Sequence, residues 1–222
     1  MSELSLIQEK HSSCSRNYLE RANNSKIECM RVARQYDYHF FDGQRKYGYG
    51  GYKYLEGYWT DFSSKLISLY ALDRDSKVLD IGCAKGYMLV ELGKQVNSHD
   101  NLYGFDISDY ALENSHSAVK SNLCQYNLND SPLPYKNKQF DLVISLNTLH
   151  NLDIREICQA LKEISRISIN SYIVVEAFDS EENQSNMYNW ALTAKTLISK
   201  EAWLYLFELT GYNGDYEFIT FE

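Results

Sequence analysis

The sequence predicts an α/β protein with a mostly parallel sheet covered by helices on both faces, and three observations predict it. Short runs at 78–82, 102–106 and 140–146 are near-continuous in Val, Ile, Leu and Phe, as strands buried on both faces require. Amphipathic stretches of helical period lie between them. The first run ends in Gly82-Cys-Ala-Lys-Gly86, a small-residue turn between a strand and a helix, and strands alternating with helices imply a parallel sheet.

In chain order, residues 1 to about 35 read as a weakly patterned helical arm, with Leu19, Ile27, Met30 and Val32 among many polar neighbours. Residues 36–59 hold seven of the 19 tyrosines together with Gly43, Gly48, Gly50, Gly51 and Gly57. Glycine at that density disfavours a helix, so this segment reads as an aromatic loop suited to a lid. Thr60 or Asp61 is placed to cap a helix whose apolar face is Phe62, Leu66, Ile67 and Tyr70. Strand one is 78–82, followed by a helix over 86–95. Strand two is 102–106, then a short helix near 109–116, and a weaker third strand spans 123–126. Strand four is 140–146, with a helix at 153–167 carrying Ile154, Ile157, Leu161, Ile164 and Ile167. Strand five is 172–178. Trp190 to Ile198 leans toward strand. Ser199 caps a helix to Thr210 that Gly211 ends. Residues 215–222 alternate with period two and read as an edge strand. The expected domain layout is 1–59 for arm and lid and 60–222 for the α/β body.

Composition narrows the function. No apolar run approaches the roughly 20 residues a membrane span needs, and the N-terminus lacks a signal-peptide core, so the expectation is a cytoplasmic protein without membrane contact. The cysteines Cys14, Cys29, Cys83, Cys124 and Cys158 form no Cys-x-x-Cys pair, which suggests neither zinc nor disulfides. The formal net charge is −8 and uneven: residues 1–60 hold nine Lys and Arg against seven Asp and Glu, and residues 61–222 hold thirteen against twenty-three. An acidic body argues against a nucleic-acid substrate. It leaves room for a small phosphorylated molecule held by N-terminal arginines.

The turn after strand one carries the strongest functional signal. Small residues let backbone approach a ligand closely. Strand two ends in Asp106, twenty residues after Gly86, where a carboxylate can accept two hydrogen bonds from a ribose diol. The pair reads as a nucleoside-cofactor site. A nicotinamide site usually shows Gly-x-Gly-x-x-Gly; here the spacing is Gly82-x-Ala84-x-Gly86 with Asp80 two residues ahead, which disfavours a nicotinamide-dependent reductase.

From about Val78 to Phe178 the chain resembles a class I S-adenosylmethionine-dependent methyltransferase. Leu79-Asp-Ile-Gly-Cys-Ala-Lys-Gly86 resembles the first motif of that family, Gly104-Phe-Asp-Ile-Ser108 the second, Tyr126-Asn-Leu-Asn129 the third and Phe140 to Leu152 the fourth. The aromatic loop and the C-terminal Gly-Tyr-Asn-Gly-Asp-Tyr-Glu-Phe resemble a bacterial small-molecule branch associated with surface-sugar and secondary-metabolite biosynthesis. The resemblance implies a Rossmann-like sheet of seven strands, mostly parallel with an antiparallel C-terminal strand. It implies S-adenosyl-L-methionine held by Asp80, Gly82, Cys83, Ala84 and Gly86, then by Asp106 and Ile107, by Asn127 and Leu128, and by Asn147. Two departures stand out. Ala84 replaces a common Gly, tolerable if its φ stays negative, and Asn127 replaces a common Asp, its carbonyl still able to accept from the adenine amine.

Methyl transfer needs alignment, exclusion of water and the handling of one proton, and it requires no metal. His150, after strand four, lies at the end where parallel sheets bind ligands and is the candidate base; a pocket-lining role is the alternative. Aromatic faces stabilise cations, so Tyr49 is paired with His150 as a catalytic candidate, Tyr54 is assigned to the cofactor, and Tyr47 and Tyr52 to the acceptor. Packing of the arm onto the sheet is the competing role for these rings. Glu176 and Asp179, at the end of strand five, are candidates for binding the acceptor. The acidic body and aromatic loop tilt the acceptor toward a neutral or cationic small molecule. The primary expectation is therefore methylation of an O or N of a sugar, nucleotide-sugar, amine or amino acid. The alternatives are a protein or peptide side chain as acceptor, or a non-catalytic partner protein retaining the fold. An arm completing a neighbour's site would make a homodimer.

Overall fold

The computed structural model describes residues 1–8, 11, 16–130 and 132–222. Within the arm that the sequence reads as helical, residues 9, 10 and 12–15, with Cys14, lie outside the described residues. Six strands, β1 (Val78–Ile81), β2 (Leu102–Asp106), β3 (Leu123–Gln125), β4 (Phe140–Leu146), β5 (Ser168–Glu176) and β6 (Asp215–Ile219), form one sheet in the order β3-β2-β1-β4-β5-β6. All five pairings are parallel, with registers such as Asp80↔Gly104, Leu79↔Val143 and Val174↔Glu217.

The apolar runs divide by alternation between two cores. Leu79, Ile81, Val143, Ile173 and Val175 meet Ile157, Leu161 and Ile164 of α7 (Ile154–Ile167) and Trp203 and Phe207 of α9 (Lys200–Thr210). Val78, Leu142, Ile144, Tyr172 and Val174 meet Phe62 and Leu66 of α4 (Thr60–Tyr70) and Leu89 and Leu92 of α5 (Tyr87–Val96). Both faces are therefore sealed, as parallel strands demand. Helix α7 starts on an Asp153/Glu156 capping box, and α9 runs from Ser199, whose hydroxyl accepts from the Ala202 amide, to Gly211 at φ 70°.

Three expectations change. The C-terminal strand is parallel to β5, where an antiparallel strand was expected. A chain that leaves β5, crosses through α8 (Glu181–Trp190) and α9 on the sheet's flank and returns re-enters from the same end. The outer edge of β6 is taken instead by the N-terminal segment: Leu4 N–H donates to Tyr216 O at 2.8 Å and Tyr216 N–H to Ser2 O at 3.1 Å. The buried Glu217 carboxylate accepts from the Leu6, Ile7 and Gln8 amides at 2.6–2.9 Å. Second, among the described residues the sheet has six strands, because 191–198 is not one of them. Its amides serve another loop, Lys195 and Thr196 both donating to His150 O at 3.0 Å, and helix α8 ends at Trp190. Third, α4 has Trp59 at its N-cap with no side-chain cap, because the Thr60 hydroxyl donates to Glu91 at 2.7 Å.

The arm forms α1 (Tyr18–Asn23) and α2 (Lys26–Ala33), and a short α6 (Asp109–Glu113) follows β2. Within 36–59, expected as a loop, α3 (Tyr38–Phe41) forms ahead of the glycines, its N-cap Asp37 accepting from the His39 amide at 2.8 Å. Helix α1 packs on α8, and the arm's residues share a cavity with the carboxyl ends of the strands. Those ends open where the strand order reverses between β1 and β4, the crevice in which such sheets bind ligands. Among the described residues no helix is long and apolar enough to cross a bilayer.

Candidate functional site

The turn after β1 is built by two glycines in the left-handed region, Gly82 at φ 79° and Gly86 at φ 75°. A Cβ on Gly82 would also fall 2.1 Å from Thr148 Oγ1, whose hydroxyl donates back to Ile81 O at 3.2 Å. Only glycine meets both demands. Ala84 does not keep negative φ: it sits at φ 50°. Its amide donates to Asp106 Oδ2 at 2.8 Å, and that charge-assisted bond offsets the left-handed strain.

Asp106 closes β2. Its second oxygen accepts from the Ser108 amide at 2.9 Å. Burial raises its carboxyl above the usual range, against the amides that lower it. Asp80, 4% exposed, is pushed up to about 7 by burial and then by the Asp106 charge. Neither carboxylate is influenced by a cationic partner among the described residues. Burial also pushes the Cys83 thiol well up, and its side chain packs as an apolar spacer against Gly104.

These turns face a cavity of about 730 Å³ lined by Gly82, Ala84, Asp106, Ile107, Asn127 and Leu128. Asn147, His150, Glu176 and Tyr49 line it too. An adjoining cavity of about 390 Å³ takes in Asp80, Cys83 and Tyr52 and shares Gly82, Ala84, Tyr49 and Asn147 with the first. Asn127 Oδ1 accepts from the Asn129 amide at 3.0 Å. Asn147, at φ 53°, donates its amide to Val174 O at 2.9 Å. Its Oδ1, with those of Asn129 and Asn151, is buried without a hydrogen-bond partner among the described residues. Unpaired buried amides beside a cavity are groups left for a ligand.

His150 is buried, and its Nδ1 accepts from the Glu176 amide at 3.2 Å. An amide can only donate, so the neutral ring carries its proton on Nε2, 3.8 Å from Glu176 Oε2. Burial holds the ring below its usual pKa, with Glu176 opposing. In this tautomer His150 presents an N–H, and the nearby carboxylate is the acceptor for a proton. Tyr49 lines both cavities. Its hydroxyl is pushed up to about 12 by burial, with Asp106 adding, so it is a donor at neutral pH.

Four of the expected residues lie outside both cavities. Gly86 serves the turn. Tyr47 packs on the small core of Cys29, Ala33 and Leu192. The Tyr54 hydroxyl bonds Glu91 and takes a hydrogen bond from Lys94 Nζ at 2.6 Å. Asp179 pairs with Lys200 at 2.6 Å. The remaining rings form a packed chain, Tyr49 4.6 Å from Tyr52 and Tyr52 stacked 5.2 Å over Tyr87.

Sequence reasoning missed the tie that holds this loop. Lys85 is 4% exposed and donates to Asp42 Oδ2 at 2.6 Å and to Tyr52 O at 3.0 Å. Asp42 also accepts from Tyr110 Oη at 2.7 Å and from the Tyr52 amide at 2.9 Å. A lysine between two small residues of a turn carries no periodic signal. Asn129 and Asn151 were missed as well and line the larger cavity, as do Arg21 and Arg34 of the arm, whose arginines the sequence left room for as holders of a phosphorylated molecule.

The pattern of a methyltransferase-domain family matches residues 72–211, and the chain belongs to that family. An uncharacterized protein of Haemophilus influenzae is 24% identical over 158 residues, 66% of this chain and 62% of its own length. The mitochondrial arginine-hydroxylase NDUFAF5 of Rattus norvegicus is 31% identical over 99 residues, 43% of this chain and 27% of its own length. The chain thus spans less than two thirds of the length of these curated relatives. A SAM dependent methyltransferase from Archaeoglobus fulgidus superposes with a TM-score of 0.54 at 21% identity, covering 70% of this chain and 69% of that one. A Haloferax volcanii methyltransferase in complex with its Trm112 activator gives 0.53 at 16% identity, covering 90% and 77%. These structural likenesses are of fold: this chain has the class I methyltransferase architecture.

Proposed function

We propose that this member of the methyltransferase-domain family binds S-adenosyl-L-methionine and methylates an O or N of a small metabolite. The observation that carries the reading is the pair of buried carboxylates, Asp80 and Asp106, facing joined cavities with no cation against them among the described residues. A ligand bearing a sulfonium and an ammonium fits such a site, because buried carboxylates gain most from a cation brought to them. The unpaired Oδ1 atoms of Asn147, Asn129 and Asn151 supply acceptors for its amino groups.

Asp106 would hold the ribose diol, Ile107 and Leu128 the base, and Asp80 with Asn147 the amino-acid end. When bound, the cofactor supplies an electrophilic methyl whose bond to sulfur breaks as the acceptor's lone pair forms the new bond, leaving a thioether. The chain's part is to align and to take one proton. The His150 Nε2–H and the Tyr49 hydroxyl orient the acceptor as donors, and the Glu176 carboxylate takes the proton. We extend the reading to a cytoplasmic protein that works as a homodimer or alone, which gel filtration distinguishes.

Calorimetry with S-adenosylmethionine, its demethylated product, NAD and NADP tests the reading. Binding of the sulfonium and its product is expected, and binding of a nicotinamide alone would overturn it. Because one relative is named as a hydroxylase, the second reading is oxidation on the same fold. A methylated rather than a hydroxylated acceptor is the expected product.

A further inference from the structure

The larger cavity carries both signs of charge. The strand ends contribute Asp106 and Glu176 to its lining; the arm contributes Arg16, Arg21 and Arg34, and the loop after it Arg45. Three of these guanidiniums gather on one ring, with Arg21 4.5 Å, Arg45 5.3 Å and Arg16 5.5 Å from the Trp190 centroid. Arg21 donates from Nε to Trp190 O at 3.3 Å and from Nη1 to Arg45 O at 2.9 Å, and Arg34 donates from Nη2 to Ala194 O at 3.1 Å. These partners are backbone carbonyls. Among the described residues no carboxylate lies within salt-bridge distance of Arg21 or Arg34. Arg21 is pulled down to about 10 by burial and then by the Arg45 charge. His11 lines the same cavity, and its Nδ1 is buried and unpaired among the described residues.

We propose that the methyl acceptor is a small anion, carrying a carboxylate or a phosphate gripped by Arg21 and Arg34. A guanidinium fork matches either group through two parallel hydrogen bonds. A cationic acceptor would meet repulsion at these arginines, while the cationic donor belongs by the strand-end carboxylates, so the two substrates are sorted by charge to different parts of one cavity. The acidic net charge had tilted the acceptor toward neutral or cationic; the local distribution reverses that, because a site responds to the charges lining it. The inference rests on the methyl-transfer reading for the word acceptor, and on the arm alone for the anion.

Calorimetry of the full chain at low salt tests it, with inorganic phosphate and with glutarate as probes. Each is titrated with and without saturating S-adenosylhomocysteine, into the wild type, Arg21→Gln and Arg34→Gln. At least one probe should bind, and each variant should weaken it about tenfold or more, as loss of one charge-assisted contact implies. Affinity for S-adenosylhomocysteine should stay within about twofold, since neither arginine belongs to the strand ends. Arg34 is exposed at the end of α2, so its variant keeps the test alive if Arg21→Gln does not fold. Which probe binds separates a phosphate from a carboxylate. Absence of binding by both, or equal binding by the variants, overturns the inference even where S-adenosylhomocysteine binds. Arginine-dependent anion binding without S-adenosylhomocysteine binding would instead sink the methyl-transfer reading and leave the anion site standing.

Discussion

The floor of the larger cavity and its wall are made from different kinds of sequence. The floor comes from strand ends, Gly82, Asp106, Asn147 and Glu176, each placed by a parallel register that permits little choice. The wall comes from short helices and loops, where Arg21 and Arg34 are separated from Trp190 and Ala194 by more than 150 residues of chain. The floor is negative and buried, and the wall is positive and partly open. A regular scaffold thus supplies one part of the cavity lining, while an irregular appendage supplies the other, as loops on rigid folds commonly do.

The strongest way to break this contrast is to cut the tie between its halves. Asp42→Ala leaves the buried Lys85 ammonium with the Tyr52 carbonyl but without its carboxylate, which should destabilise by about 3–5 kcal/mol. Thermal unfolding should fall by roughly 10 °C, and a shift under about 2 °C would mean the aromatic loop is held by its ring stack alone. Next is the floor itself. Asp106→Ala removes the partner of the Ala84 and Ser108 amides and should weaken S-adenosylhomocysteine about a hundredfold by calorimetry; unchanged affinity would remove Asp106 from the cofactor.

A smaller effect should depend on pH. The folded-state pKa of Asp80 is raised to about 7. Its contribution to stability is therefore fully present below its unfolded value, near ~3.9, and is lost as pH rises through about 7. Asp80→Asn should stabilise the free protein by about 1–3 kcal/mol at pH 8 and not below pH ~4, while weakening the cofactor. A gain equal at both ends of that range would show that the carboxylate charge is not what strains the floor. The smallest change sharpens the turn. Ala84→Gly relieves a left-handed alanine at φ 50° and should raise stability by about 0.5–1 kcal/mol, read as a few degrees of unfolding temperature. A loss instead would mean that the hydrogen bond to Asp106 had already removed the strain.

How much of this was legible follows from the same contrast. Val78 to Gly86 and Phe140 to Leu146 announced themselves by apolar continuity ending in small residues, and the structure has strands at both. Residues 190–198 were expected to lean toward strand, yet helix α8 ends at Trp190 and the Lys195 and Thr196 amides bond His150 O. Helix α8 was missed because only Met187 of its ten residues is buried, so it carries almost no periodic signal. Ala84 was expected at negative φ by local sterics; a carboxylate twenty-two residues away holds it otherwise. His150 was found as a residue, but the state of its proton belongs to the Glu176 amide.

By itself the sequence determined the α/β class, the helices and strands with strong periodicity, and the placing of Asp80 and Asp106 in β1 and β2 beside the cavities. Those follow from hydrophobic period and turn chemistry, which act over a few residues. Tertiary structure alone decided the direction of β6, the capture of its edge by the N-terminal segment, the Asp42–Lys85 tie and the gathering of arginines around Trp190. Each of these joins groups far apart in the chain, and their energies depend on burial and distance, which no local pattern encodes.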